Sequence, residues 1–288
     1  MLAPQPLDPT AELRPAPVRD DPDAQDLPLW RRVLEVPLVR RLAILAVLAS
    51  LWQAYAMFKG NALILPSFLD VADAFFTALG DGRIPAAVAT SLQVLVIGYA
   101  LGVAAALVLT TLAITTRLGR DLLATLTAMF NPLPAVALLP LAFLWFGLGQ
   151  PSLIFVIIHS VLWPVALSTL TGFTTVGETM RMAAVNVDLR GPRLVVLVLI
   201  PAAFPQILSG LRIGWAFAWR TLIAAELVFG VTSSSGGLGW FIFENRNRLE
   251  TDLVFAGLVT VILIGLVVDA ILFRLIERAT VQKWGMQR

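Results

Sequence analysis

The strongest constraint on this chain is a run of 56 residues, Leu122 to Gly177, without one Asp, Glu, Lys or Arg. A second uncharged run, Ile84 to Thr116, is 33 residues long. A helical bilayer crossing takes about 20 apolar residues, so the longer run holds two crossings and the shorter holds one extended one. Hydrocarbon offers backbone amides no partner, which forces such segments into helices. Only 14% of all residues are charged and 58% are hydrophobic, whereas about a quarter of a soluble domain is charged. The expected fold class is therefore all-α, a polytopic membrane protein.

Six spans fit the hydropathy pattern: 38–58, 85–116, 122–145, 152–173, 201–230 and 253–273. The connection from Gly60 to Arg83 is less apolar, and Ser67 to Phe76 reads as a short amphipathic helix at the membrane surface. Residues 1–28 carry seven of the 18 prolines and an acidic stretch from Asp20 to Asp26. Such a segment buries too little apolar surface to offset its ordering entropy, so residues 1–37 read as a disordered cytoplasmic tail ahead of a membrane domain over 38–288. About 40 polar and proline-rich residues precede the first apolar run, which does not suit a cleavable signal peptide. Gly98 and Gly102, spaced one helical turn apart in the second span, read as a close-packing face.

The chain has no cysteine and one histidine, His159, which removes thiol chemistry and leaves little for a metal site. No phosphate-binding loop of the Gly-x-x-x-x-Gly-Lys-Ser/Thr type occurs, so the chain carries no ATPase site of that kind. Charge inside the spans is the more informative signal. Span five holds Arg212, Arg220 and Glu226, and an arginine near mid-bilayer costs roughly 2.5 kcal/mol or more on insertion scales. Two readings are open: an electropositive lining for an anion, or ion pairs between helices. Asn131, Pro132 and Pro134 interrupt span three. Prolines leave carbonyls unpaired and bend a helix, which at membrane depth requires protein or a water-filled cavity beside them. This break is a candidate lining of a translocation path, together with Arg212, Arg220 and Glu226. His159 reads first as a packing residue. The segment from Thr232 to Glu250 joins Ser and Gly to a Trp-Phe-Ile-Phe patch, and Gly237, Gly239, Trp240 and Phe241 are candidates for an outer gate, with an interfacial anchor as the alternative.

The loop between spans four and five, about residues 174–200, carries the most specific pattern. Glu178 to Leu189 suits a short helix with an acidic start, broken by Gly191 and Pro192. From Met182, Ala183 and Ala184 to Ile200 and Pro201 the segment resembles the loop signature of bacterial ABC importer permeases. That signature is Glu-Ala-Ala with a glycine six residues and a proline nineteen residues after the Glu. Two positions depart from it: Met182 stands where the acid is expected, and Asp188 where the glycine is expected. The stretches Pro201 to Glu226, Leu65 to Ser67, Leu139 to Gly149 and Gly236 to Ile242 are similar to the branch of that family handling nitrate, bicarbonate, taurine and alkanesulfonates.

The resemblance implies a type I ABC importer permease fold with six transmembrane helices, in the bacterial inner membrane. It implies a coupling loop in which Glu178, Arg181, Met182, Ala183, Ala184, Asp188, Arg190, Gly191, Arg193 and Pro201 meet a separate ATPase subunit. It also implies a second permease copy, identical or related, a periplasmic or extracellular solute-binding protein, and no cofactor on this chain, ATP and Mg being held by the ATPase. The two departures suit either a partner fitted to this loop or an asymmetric transporter whose other permease has the fuller signature. The competing reading is a secondary transporter or channel driven by an ion gradient. No nucleic-acid role is expected.

Positive charge sets the expected orientation. With the N-terminus inside, the cytoplasmic segments hold 15 Lys and Arg, the outer segments hold four, and two lie within span five. That asymmetry places both termini in the cytoplasm. A reporter fused after Arg288 should be active only when it is a cytoplasmic reporter. Activity of a periplasmic reporter at that position would reverse the topology.

Overall fold

The computed structural model describes residues 36–229 and 236–282, and all regular elements among them are helical. The proline-rich segment 1–35, residues 230–235 and the last six residues lie outside the described part. Helix α1 spans Pro37–Lys59. Its portion up to Trp52 belongs to a unit of its own, and from Gln53 onward the chain forms a second unit.

In that second unit, α2 (Phe68–Gly80) starts at a capping box. Ser67 Oγ accepts from the Asp70 N–H and the Asp70 carboxylate accepts from the Ser67 N–H, each at 3.2 Å. Val71, Ala74 and Ala78 recur at helical spacing and are buried, so the amphipathic pattern read from the sequence is the packing pattern. The turn into α3 (Arg83–Thr115) is closed by Asp81, which accepts from the backbone N–H of Arg83 at 3.0 Å and from its Nε at 2.7 Å. Those bonds, the backbone one foremost, hold the Asp81 carboxyl below the usual range.

Helix α4 (Arg117–Phe130) and the helix Ala135–Phe146, which opens with a 3-10 turn and continues as α5 (Leu139–Phe146), meet at 89°. The expected third span is therefore a broken one. The physical cause is local: Pro132 and Pro134 have no N–H to donate, and the backbone bridges the corner instead through Leu133 N–H to Phe130 O at 3.1 Å. Helix α6 (Gln150–Thr175) follows, with Ser152 Oγ donating to the Gly147 carbonyl at 2.6 Å to close the turn. After α7 (Glu178–Asn186) comes α8 (Gly191–Val228), then α9 (Leu238–Asn247) and α10 (Thr251–Thr280).

Among the described residues five helices are long and apolar enough to cross a membrane, and six spans result if the bent pair is one of them. The expected start of span five at Pro201 is corrected to Gly191: the helix runs through the proline. It does so by widening into a π-type turn at Val195–Leu199, in which the Ile200 N–H reaches back to Val195 O. That wider turn precedes Pro201, whose ring would clash with the carbonyl four residues back in an ordinary helix.

The core is a seam in which α6 lies between α3 and α8. Close approach is possible because glycines face it from both sides. A Cβ on Gly98 or Gly102 of α3 would come within 2.8 Å of the Cβ of Ile157 or Val161, and one on Gly214 of α8 within 2.9 Å of a Val165 methyl. The reading of Gly98 and Gly102 as a packing face holds, and Val156, Ile157, Val161, Val165 and Ala166 of α6 are completely buried there. Two bonds tie α3 and α10 to α8: Tyr99 Oη donates to Leu211 O at 2.8 Å, and Trp219 Nε1 donates to Val261 O at 3.2 Å.

Candidate functional sites

The bend between α4 and α5 opens onto a cavity of about 560 Å³. Its first wall is the break itself, Asn131 to Val136. The second is one face of α6, with His159, Ser160, Trp163 and Pro164. The third is one face of α8, with Phe217, Arg220, Thr221 and Ala224, the i, i+3, i+4, i+7 set of a single helical stripe. The structure thus brings Asn131, Pro132, Pro134 and Arg220 together, and adds His159, Trp163, Phe217 and Thr221. Phe217 was available from the sequence by stepping three residues back from Arg220, and Thr221 by stepping four on from Phe217. The α6 additions depended on which face of a uniformly apolar helix turns inward.

An aromatic cluster supports the break. Phe130, the last residue of α4, stacks on Trp163 with centroids 6.0 Å apart and planes 6° from parallel. His159 meets Trp163 edge-on at 5.9 Å. Both His159 nitrogens are buried without a hydrogen bond, the Phe130 carbonyl approaching without reaching bonding geometry.

The two arginines of α8 have different surroundings. Arg212 is ion-paired to Asp269 of α10, its Nε donating to the carboxylate. It does not line the cavity, so of the two open readings the interhelical ion pair describes Arg212. Arg220 donates through Nε to its own helix, at Ala216 O, 3.1 Å away, and its guanidinium lies 5.4 Å from the centre of the Phe217 ring. Among the described residues no carboxylate pairs with it.

Glu226 faces away from the cavity, which corrects its placement as a lining candidate. It is 1% exposed and clamps the start of α9. Its Oε2 accepts from the Gly239 N–H at 2.7 Å, and Ser91 Oγ of α3 donates to the carboxylate at about 3.0 Å while accepting from the Leu238 N–H at 2.8 Å. A helix start has unpaired amides and a positive dipole end, and a carboxylate answers both. Gly237 has no room for a side chain, since a Cβ would strike Glu226 Oε1 and Ser91 Oγ; on Gly239 it would come 2.5 Å from Glu226 Cβ. Of the gate candidates, Gly237, Gly239 and Phe241 are buried, and Trp240 is half-buried and stacked on Phe243 at 5.4 Å. They form a packed helix start, and Thr232 to Ser235 lie outside the described residues.

In the loop after α6, helix α7 ends in a Schellman turn. The Leu189 N–H bonds to Ala184 O and the Asp188 N–H to Val185 O, both at 3.0 Å, with Asp188 at φ +60°. That left-handed position is where the resemblance leads one to expect glycine. Aspartate is among the few other residues that visit it readily, so the departure keeps the turn. Arg181 donates through Nη2 to the Phe173 carbonyl and fastens α7 to α6, so part of its donor capacity is used inside the chain. Ala184 also turns inward, 6% exposed. Met180, Met182, Val185 and Val187 are the exposed apolar residues of this loop, and Glu178, Ala183, Asp188, Arg190 and Arg193 are exposed beside them. The Arg190–Asp188 approach, 3.6 Å between largely solvated ends, contributes little. Gly191, at φ +54°, starts α8.

Residues 98–281 match the family described as binding-protein-dependent transport system inner membrane component. The chain is 33% identical over 236 residues to a putative ABC transporter permease protein of Methanocaldococcus jannaschii, covering 81% of this chain and 87% of that one. It is 31% identical over 265 residues to the taurine transport system permease protein TauC of Escherichia coli, covering 87% and 92%. A putative aliphatic sulfonates transport permease protein, SsuC of Escherichia coli, is 31% identical over 232 residues, covering 80% and 86%.

The clamp on α9 makes a direct prediction. Ser91→Ala strands the Leu238 N–H and removes a donor to Glu226, which should cost about 1–3 kcal/mol and lower the unfolding midpoint of the purified protein. Glu226→Gln, which still offers an acceptor to Gly239, should cost less than Glu226→Leu. Equal midpoints for all three variants and the parent would show that α9 is held elsewhere.

Proposed function

The chain belongs to the family of binding-protein-dependent transport system inner membrane components, and from that premise we propose that it is the permease subunit of an ATP-driven importer for a small anion. The observation that carries the anion is Arg220, a cation inside a span, on the wall of a cavity, without a carboxylate partner among the described residues. Such a charge is stabilised by water or by a passing anion, and it repels cations from the same space. Relatives whose names specify taurine and aliphatic sulfonates support the substrate class, a sulfonate or related small oxyanion such as nitrate or bicarbonate.

In this reading the chain hydrolyses nothing itself. ATP and Mg belong to a separate ATPase subunit, which meets the loop after α6 through the exposed Met180, Met182, Val185 and Val187 together with Glu178, Ala183, Asp188, Arg190 and Arg193. Arg181 and Ala184 support that surface from within. Pro201 acts further back, where the widened turn carries the loop into α8. A solute-binding protein outside delivers the anion, and a second permease copy, identical or related, completes the path. Both termini lie in the cytoplasm and the chain is a multi-pass protein of the bacterial inner membrane. A carrier driven by an ion gradient would need a free acid or histidine in the path. Among the described residues Glu226 is committed to α9 and Asp269 to Arg212, which leaves such a carrier only His159, and membership of the family favours the ATP-driven reading.

Arg220→Met should lower ATP-dependent uptake about tenfold or more while the complex still assembles, since hydrogen bonds to a charge contribute roughly 1.5–3 kcal/mol. Arg212→Met should instead lower the yield of assembled complex by leaving Asp269 without its partner, and Asp269→Asn added to it should restore the yield. The reverse pattern, with assembly lost at Arg220 and uptake lost at Arg212, would exchange their roles and overturn the assignment.

A further inference from the structure

The cavity beside Arg220 holds more hydrogen-bond donors than passage alone requires. Trp163 is 6% exposed and lines the cavity, yet its indole N–H meets no acceptor among the described residues. An indole nitrogen can only donate, and proteins rarely leave such a group buried and unsatisfied. His159, one turn earlier on α6, lines the same cavity and is unsatisfied at both nitrogens. On the facing wall the helix Ala135–Phe146 begins, with Pro134, Ala135 and Val136 in the lining. The first amide bonded back there is that of Ala137, to Pro134 O, and among the described residues no carbonyl ahead of the helix accepts from the N–H groups of Ala135 and Val136. Arg220 contributes charge from the third wall, and among the described residues no Asp or Glu occurs in the lining.

We propose that the permease itself binds one small oxyanion in this cavity, between Arg220, the N–H groups of Trp163 and His159, and the start of the Ala135–Phe146 helix. This rests on the anion-importer reading and deepens it: discrimination by charge takes place inside the membrane as well as at the external binding protein. The ligand is a sulfonate, nitrate or carboxylate group on a small body. An ammonium on the same molecule finds no carboxylate here, so a simple anion binds better than its amino-substituted analogue.

The test is equilibrium binding of radiolabelled methanesulfonate to the purified permease–ATPase complex, without the solute-binding protein and at constant ionic strength. Saturable binding is expected, weakened about tenfold or more by Arg220→Gln and about threefold to tenfold by Trp163→Phe, which keeps the ring and removes the N–H. Arg220→Lys should fall between parent and Arg220→Gln, which separates lost charge from lost structure. Arg246→Gln, at the end of α9, should bind as the parent does. Ethanesulfonate should displace the label at lower concentration than 2-aminoethanesulfonate. Absence of saturable binding, or equal affinity in the parent, Arg220→Gln and Trp163→Phe, overturns the proposal, and the opposite order of the two competitors overturns the ligand class. If the complete transporter still drives sulfonate uptake with ATP in those cases, the importer reading stands without the cavity site. If it takes up no small oxyanion at all, the importer reading itself fails.

Discussion

A charge inside a bilayer must find a partner, and the two arginines of α8 meet that demand in different ways. Arg212 is neutralised by Asp269 across the α8–α10 contact. Arg220, eight residues further along the same helix, leans on its own backbone and on the Phe217 ring, and faces a cavity. The first arrangement holds helices together; the second leaves a positive field where a substrate can use it. The distinction depends on helical phase, since eight residues advance about 800° and so turn the side chain about 80° around the axis.

That phase is useful only because the helices cannot rotate freely. Gly98 and Gly102 of α3, and Gly214 of α8, admit α6 so closely that a methyl group at any of them would displace Ile157, Val161 or Val165. Lipid tails are as apolar as leucine, so packing and interhelical bonds rather than the hydrophobic effect hold such a seam. It presents the Trp163 face of α6 and the Arg220 face of α8 to the same space, and the corner at Asn131 to Pro134 supplies the third wall. The buried Glu226 serves a separate purpose, fixing the start of α9 against α3 through Ser91.

Much of this was legible in the sequence. Hydropathy marked the apolar spans, the segment from Ser67 to Phe76 was read as the short helix that is α2, and the prolines at 132 and 134 marked the break. The glycines at 98 and 102 were read as packing and do pack. Pairing across helices was harder to read. Nothing local distinguishes Arg212 from Arg220, because the acid that separates them lies 57 residues away on α10. Glu226 looked like a lining group because burial and a path both place acids on apolar helices, and only the fold shows its partners at Ser91 and Gly239. The loop pattern hid a simpler point: Asp188 replaces an expected glycine at a left-handed turn that aspartate can also adopt.

Because the chain contains no cysteine, one measurement can test the field of Arg220 directly. Ala224→Cys places a single thiol on the cavity wall, one turn from Arg220. Its rates of reaction with an anionic methanethiosulfonate, carrying a sulfonate, and with a cationic one, carrying a trimethylammonium, are then compared. An unpaired arginine facing the cavity predicts that the anionic reagent reacts faster, relative to the two rates on a free thiol, and that adding Arg220→Met removes the preference. Equal relative rates with Arg220 in place, or a preference for the cation, would contradict the account.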